Sequence, residues 1–126
     1  EPLLSVRRCG VYRLPGWAGR VRVRRTTHAG VPLAWLGQLE LRARSGGEQF
    51  QAGPGRPPRS LKKQYQAARV PPWCRTGPLF FSGGQLVFAP GLGVDARVWA
   101  LPGQPQVSLE WQPLAIESDA RPKRPD

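Results

Sequence analysis

The sequence predicts a mainly β domain, a barrel or sandwich, with one helix inserted in its middle. Three observations carry that expectation. About eight short runs alternate in polarity or are wholly apolar, and each is bounded by turn residues. Gly and Pro number 15 each, which favours many short elements over long helices. Only one stretch, between Arg56 and Arg75, spaces its apolar residues as a helix would, and prolines bracket it on both sides. A chain of 126 residues suffices for one domain with its own core. We place that domain at residues 1–115, with a polar, proline-rich disordered tail at 116–126.

In chain order, residues 1–14 hold two alternating pieces, Leu4 to Arg7 and Val11 to Leu14, split by Gly10. After the Pro15-Gly16 turn, Arg20 to Arg25 alternates with period two. One face is Val21 and Val23, and the other is Arg20, Arg22 and Arg24. An all-Arg strand face is either solvated or turned toward an anion. Thr26 to Pro32 is a loop holding His28, which has no acid or thiol neighbour in sequence and reads as a surface residue. Gln38 to Arg44 is a strand with Leu39, Leu41 and Ala43 inward, ended by the turn Ser45-Gly46-Gly47-Glu48.

The helix is predicted over about 60–69. Ser60 is its N-cap, Leu61, Tyr65 and Ala68 form a narrow apolar stripe, and Lys62, Gln66 and Arg69 form the polar stripe beside it. Val70-Pro71-Pro72 stops it, because a residue preceding proline is pushed out of the α region. At roughly ten residues it needs tertiary packing to persist. Trp73 after the prolines is read as a core plug in preference to a stacking surface. Pro78 to Phe81 and Gln85 to Ala89 flank Ser82-Gly83-Gly84 as a β-hairpin. Val94 to Leu101 and Val107 to Trp111 complete the strands.

Charge is the strongest global feature. Nineteen Lys and Arg against eight acids give +11, and sixteen of the nineteen are Arg. The guanidinium is always ionised and presents parallel donors to a phosphate, so a polyanion partner is expected. The 40% hydrophobic content, with five Trp and four Phe, argues against a wholly disordered chain. RNA, DNA and an anionic membrane surface are the candidate polyanions. No apolar run approaches the roughly 20 residues of a membrane helix, so no membrane span is expected. The sequence has no Met, and the chain is expected to be a fragment of a longer protein. Cys9 and Cys74 lack the spacing of a zinc site and are expected to be free thiols.

Two Ser-Gly-Gly triplets, at Ser45 and Ser82, raise an ATP-pyrophosphatase loop. Neither continues with the acid and serine such a loop needs for metal and phosphate, so both read as turns. With no Walker loop, metal-ligand cluster, Ser/His/Asp set or close carboxylate pair, the chain is expected to carry no catalytic residues, cofactor or metal of its own. The basic constellation differs. Eight basic residues lie between Arg42 and Arg75 against one acid, Glu48. Arg59, Lys62 and Lys63 crowd the helix N-terminus, where cations oppose the dipole, an arrangement that a phosphate ligand would relieve.

The strings Arg44-x-Gly46-Gly47-Glu48-x-Phe50, Ser60-Leu61-Lys62-Lys63 with Tyr65-Gln66, and Val70-Pro71-Pro72-Trp73-x-Arg75 closely resemble the C-terminal domain of bacterial tRNA(Ile)-lysidine synthetase. Pro78-Leu79-Phe80, Leu86-Val87 and Pro90-Gly91 continue the pattern. The likeness is strongest over 39–94, weaker over 1–38 and absent from the tail. Tyr65 stands where Phe is common, Gln49 where a basic residue is common, and Thr76 where an acid would follow Arg75.

The resemblance implies a small Greek-key β barrel similar to a domain of the phenylalanyl-tRNA synthetase β-subunit. It also implies a cytoplasmic bacterial parent enzyme that uses ATP to couple lysine to the wobble cytidine of a minor isoleucine tRNA. ATP and Mg would then belong to an N-terminal pyrophosphatase-type domain absent from this chain. That catalytic domain and the tRNA are the implied partners, with no membrane among them, and a homodimer of the parent is left open. The fragment's implied role is to grip the tRNA at its acceptor stem. Arg44, Arg59, Lys62, Lys63, Arg69 and Arg75 are the expected RNA-binding residues. Two other readings stand beside it: a docking module presenting Trp17 and Trp35 to another domain or subunit, and a secreted polyanion binder closed by a Cys9–Cys74 disulfide.

Overall fold

A computed structural model describes residues 3–114. The expected tail at 116–126 lies outside the described residues. The described residues form ten strands and one α-helix: β1 (Leu3–Leu4), β2 (Gly10–Leu14), β3 (Gly19–Thr26), β4 (Leu39–Arg42), β5 (Gln49–Phe50), β6 (Arg59–Ser60), α1 (Leu61–Ala67), β7 (Leu79–Ser82), β8 (Gln85–Ala89), β9 (Gly93–Val94) and β10 (Gln106–Pro113). Four short 3-10 turns link them, including Pro72–Cys74 and Ala96–Val98. All pairings between strands are antiparallel. The architecture is therefore mainly β with one inserted helix.

The strands form open sheets. One has the order β1-β4-β7-β8-β9, a second β10-β3-β2, and β5 with β6 makes a separate ribbon. The five- and three-stranded sheets pack face to face over a shared core. Leu14, Val21, Val23, Leu109 and Trp111 come from one side, and Leu39, Leu41, Phe80, Val87 and Phe88 from the other. A second cluster of Phe50, Leu61, Tyr65, Val70, Leu79, Phe81, Leu86 and Ala89 lies beneath the helix and ribbon. The central hairpin β7–β8 thus feeds both cores. That explains why Leu79-Phe80-Phe81 and Leu86 to Ala89 read as continuous apolar runs rather than alternating ones. A register shift between Phe80 and Phe81 leaves Val87 as an extra residue on β8, so that Val87 and Phe88 both enter the shared core.

On β3 the period-two reading holds: Val21 and Val23 are buried, and Arg22 and Arg24 are exposed. Four expectations need correction. Val94 to Leu101 is not a strand: β9 ends at Val94 and a 3-10 turn follows at Ala96–Val98. Ala43 is exposed, because β4 ends at Arg42 before the turn. Ala68 is exposed at the helix C-cap, and Gln64 takes the buried place instead, its amide donating to the Phe50 carbonyl at 2.7 Å. Trp73 is 57% exposed rather than a core plug. The 3-10 turn at Pro72–Cys74 holds its backbone, and the neighbouring Val70 fills the core in its stead.

Trp111 is the bolt between layers. Its ring packs against Gly19 and Gly77, where a Cβ would collide with it, and Gly77 has φ +98°. Its indole N–H donates to Thr76 Oγ1 at 3.3 Å. Trp17 and Trp35 are partly buried and packed against the shared core, so they do not form the exposed patch the docking reading required. Cys9 and Cys74 are free thiols.

Candidate nucleic-acid interface

The helix begins at its expected N-cap but ends at Ala67, two residues short of the expected boundary at Arg69. Ser60 Oγ accepts from the Lys63 amide at 3.3 Å, the expected N-cap. At the other end, Val70 N–H donates to the Tyr65 carbonyl and Arg69 N–H to the Gln66 carbonyl, both at 3.1 Å. Those two bonds define a Schellman cap. The residue in the left-handed position is Arg69, with φ 56°, where glycine would be relaxed. An L-residue there costs about 1–2 kcal/mol. The helix is only seven residues long and Lys63 N–H is already satisfied, so side-chain charge outweighs the dipole as a source of anion attraction here.

Tyr65 organises what lies around it. It is fully buried, and its hydroxyl donates to the Pro90 carbonyl at 2.7 Å. Burial raises the phenol pKa, and the Arg44 and Arg75 guanidiniums oppose that rise. Those two guanidinium carbons lie 5.1 and 5.0 Å from the ring centroid, within cation–π range. Arg75 is fixed further by its Nε–H, which donates to the Val70 carbonyl at 2.8 Å. A backbone carbonyl thus partners Arg75, where the resemblance leads one to expect an acid at the position of Thr76. Arg44 is 31 residues from Arg75 in the chain, yet both rest on one ring.

These residues line an open cleft of about 450 Å³ formed by Arg44, Gly46, Glu48, Ser60, Leu61, Lys62 and Arg75. Of the six expected RNA-binding residues, Arg44, Lys62 and Arg75 converge there. Arg59 and Lys63 are exposed outside the lining, on β6 and the helix. Arg69 is exposed at the far end of the helix, beside a separate cleft lined by Val70, Pro71, Gly91 and Glu110.

Glu48 is the one acid in the lining, and its charge is committed inward. One oxygen accepts from Ser45 N–H and Oγ at 2.8 and 2.7 Å, and the other from Gly46 N–H at 3.1 Å. Burial works against ionisation, but these hydrogen bonds outweigh it and hold the carboxyl below its ordinary value. A depressed carboxylate contributes stability that is complete above the ordinary value of 4.5 and is lost as pH falls through the depressed one. The amide resonances of Ser45 and Gly46 are accordingly expected to titrate with a midpoint below 4.5, and Glu48→Gln should abolish that transition. A midpoint at or above 4.5 would refute the turn-locking role.

Three contributors escaped the sequence reading. Tyr65 was counted as core alone, although its ring is the platform for two cations. Glu48 was counted as the odd acid in a basic field. Its place three residues after Ser45, across Gly46-Gly47, is the local signal of a side chain capping its own turn. The Asp95–Arg97 pair, which holds the ribbon β5 in place, left no local trace.

The family model described as the TilS substrate C-terminal domain matches residues 39–111. The chain is 42% identical over 90 residues to the tRNA(Ile)-lysidine synthase of Burkholderia mallei, covering 68% of this chain and 18% of that protein. It is 41% identical over 101 residues to the tRNA(Ile)-lysidine synthase of Nitrosomonas europaea, covering 78% and 22%. With the synthase of Azoarcus sp. it shares 31% over 115 residues, covering 90% and 26%. The chain therefore spans about a fifth to a quarter of the length of these curated relatives. No solved structure matches it.

Proposed function

The chain belongs to the TilS substrate C-terminal domain family, and from that premise we propose that it is the tRNA-gripping domain of a tRNA(Ile)-lysidine synthase. In this reading the parent is a cytoplasmic bacterial ligase that spends ATP, with Mg, to join lysine to the wobble cytidine of a minor isoleucine tRNA. Adenylation and lysine transfer belong to an N-terminal catalytic domain. This chain supplies no reacting group and positions the substrate by holding its acceptor stem. Its fold is then akin to the Greek-key domain of the phenylalanyl-tRNA synthetase β-subunit.

The observation that carries the reading is the convergence of Arg44, Arg75 and Lys62 on one cleft, with two of the three braced on the Tyr65 ring. Bracing matters because an arginine held in place loses less freedom when it meets a phosphate. An A-form helix offers a shallow minor groove with 2′-hydroxyls and flanking phosphates, which such a cleft can follow by shape and charge. Exposed Trp73, two residues before Arg75, adds a flat ring on which a base can stack. Arg59, Lys63 and Arg69 extend the positive surface to either side.

The test is a titration of the chain with tRNA and with duplex DNA of equal length, repeated across salt concentrations. If about five phosphates are neutralised, log K should fall with log salt with a slope of roughly −3.5 to −4.5. Lys62→Ala combined with Lys63→Ala should make that slope shallower by roughly 1.4 to 1.8 and leave the melting temperature unchanged. Equal binding of DNA and tRNA, or an unchanged slope in the variant, would sink the assignment of this cleft.

A further inference from the structure

We propose that the outer face of the β10-β3-β2 sheet is a second phosphodiester-binding surface, which engages the backbone of the same RNA at a place separate from the helix cleft. The inference rests on the RNA-binding reading above and adds a site to it. Most of the surface is built from β2 and β3, which lie outside the matched segment 39–111.

The geometry follows from strand parity. Val21 and Val23 enter the core, so Arg20, Arg22 and Arg24 project from the opposite face of β3. In register beside them stand Val11 and Arg13 on β2, and Ser108, Glu110 and Gln112 on β10. Arg22 and Arg24, with Val11, border a shallow depression of about 330 Å³. Alternate residues of a strand repeat about every 6.6 to 6.8 Å, a separation comparable to that of successive phosphates along one nucleic-acid strand.

Arg13 lies directly opposite Arg20 across the β2–β3 pair, which extends the row of arginines on β3 sideways onto β2. Arg20 is steadied by its Nε–H, which donates to Gln112 Oε1 at 2.7 Å. Arg13, Arg22 and Arg24 form no ion pair with any described carboxylate, although Glu110 is in register with Arg22. Exposed arginines at strand spacing, with no described carboxylate to neutralise Arg13, Arg22 and Arg24, are matched by a ligand that brings regularly spaced negative charge.

The chemistry of the face favours RNA over other polyanions. Its cations are all arginine, whose fork matches phosphate oxygens. Ser108 and Gln112 add neutral hydrogen-bonding groups suited to sugar hydroxyls. Among the described residues in register on this face Val11 is the one apolar member, and the aromatic or aliphatic anchors of a protein interface or a membrane-inserting surface are not found among them.

The test compares three proteins under identical salt titrations with tRNA: the wild-type chain, the sheet variant Arg13→Gln/Arg22→Gln/Arg24→Gln, and the helix variant Lys62→Ala/Lys63→Ala. The sheet variant should retain its melting temperature or gain a little. Its slope of log K against log salt should become shallower by roughly 2.1 to 2.7 relative to wild type, with affinity at least tenfold weaker at low salt. Unchanged slope in the sheet variant, with the helix variant weakened, overturns the second surface and leaves the cleft standing. A weakened sheet variant with an unaffected helix variant supports the surface and removes the cleft. Should the sheet variant lose binding to polyglutamate or phosphatidylserine vesicles but keep its tRNA slope, the proposal is overturned in favour of that partner.

Discussion

Asp95→Ala is expected to destabilise the domain by about 3 kcal/mol, the lower end of what breaking a buried ion pair costs. Asp95 is fully buried, and its two oxygens receive four hydrogen bonds. Gln51 N–H donates at 3.2 Å and Arg97 N–H at 2.9 Å. The Arg97 guanidinium donates through Nε at 3.0 Å and Nη2 at 2.8 Å. Arg97 also reaches the Gln49 carbonyl at 2.8 Å, and its pKa is raised chiefly by the Asp95 hydrogen bonds. The pair therefore clamps β5 to the turn after β9.

Removing the carboxylate orphans two backbone amides, those of Gln51 and Arg97, and leaves a guanidinium without its countercharge. The arginine side chain is about a third exposed, and water recovers part of that loss, which sets the estimate at the low end. Asp95→Asn keeps the shape and one acceptor oxygen, so about half the cost is expected. Denaturant midpoints of the two variants would measure this. An alanine variant within about 1 kcal/mol of wild type would show that the clamp is dispensable. Because β5 carries Phe50, which receives the Gln64 amide, loss of the clamp should also loosen the helix that lines the cleft.

The clamp shows where the sequence stops being legible. Strand β3 was readable because one face is valine and the other arginine, a contrast that repeats every two residues and needs no partner to interpret. The start of the helix was readable because Ser60 caps it through a bond within one turn. Its end came at Ala67, ahead of Val70-Pro71, through a cap with Arg69 in the left-handed position that no glycine announced. Asp95 and Arg97 are two residues apart, and nothing local distinguishes them from any solvated pair. Their meaning comes from Gln49 and Gln51, more than forty residues earlier. The inward place expected for Ala68 falls to Gln64 for a similar reason: its burial is set by the Phe50 carbonyl across the ribbon.

Trp73 failed differently. An aromatic after two prolines was assigned to the core on average behaviour, but only so much volume lies beneath the helix, and Tyr65, Phe50 and Val70 fill it. The candidate cleft falls between these cases. Its basic residues stood out in the sequence, while their selection into a group depended on a ring that brings position 44 beside position 75. Charge was legible as composition, and convergence required the fold.

That ring supplies the second large effect. Tyr65→Leu is expected to weaken tRNA binding by about 5- to 30-fold, whereas Tyr65→Phe should leave affinity unchanged. Each guanidinium over an aromatic face gains about 0.5–1 kcal/mol, and two such contacts held together correspond to roughly that factor. Leucine fills much of the volume but offers no face, so Arg44 loses its only described side-chain contact and Arg75 keeps only the Val70 carbonyl. Both cations then explore rotamers that a phosphate must freeze out. Phenylalanine preserves the face and surrenders only the hydroxyl bond to Pro90. It should cost about 1–2 kcal/mol in stability, since it leaves a buried carbonyl without its donor. The decisive comparison is affinity against stability in both variants. If the ring is the platform, Tyr65→Phe lowers the melting temperature without changing affinity, and Tyr65→Leu lowers both. Equal losses of affinity in the two would mean that general destabilisation, and not the aromatic face, governs the cleft.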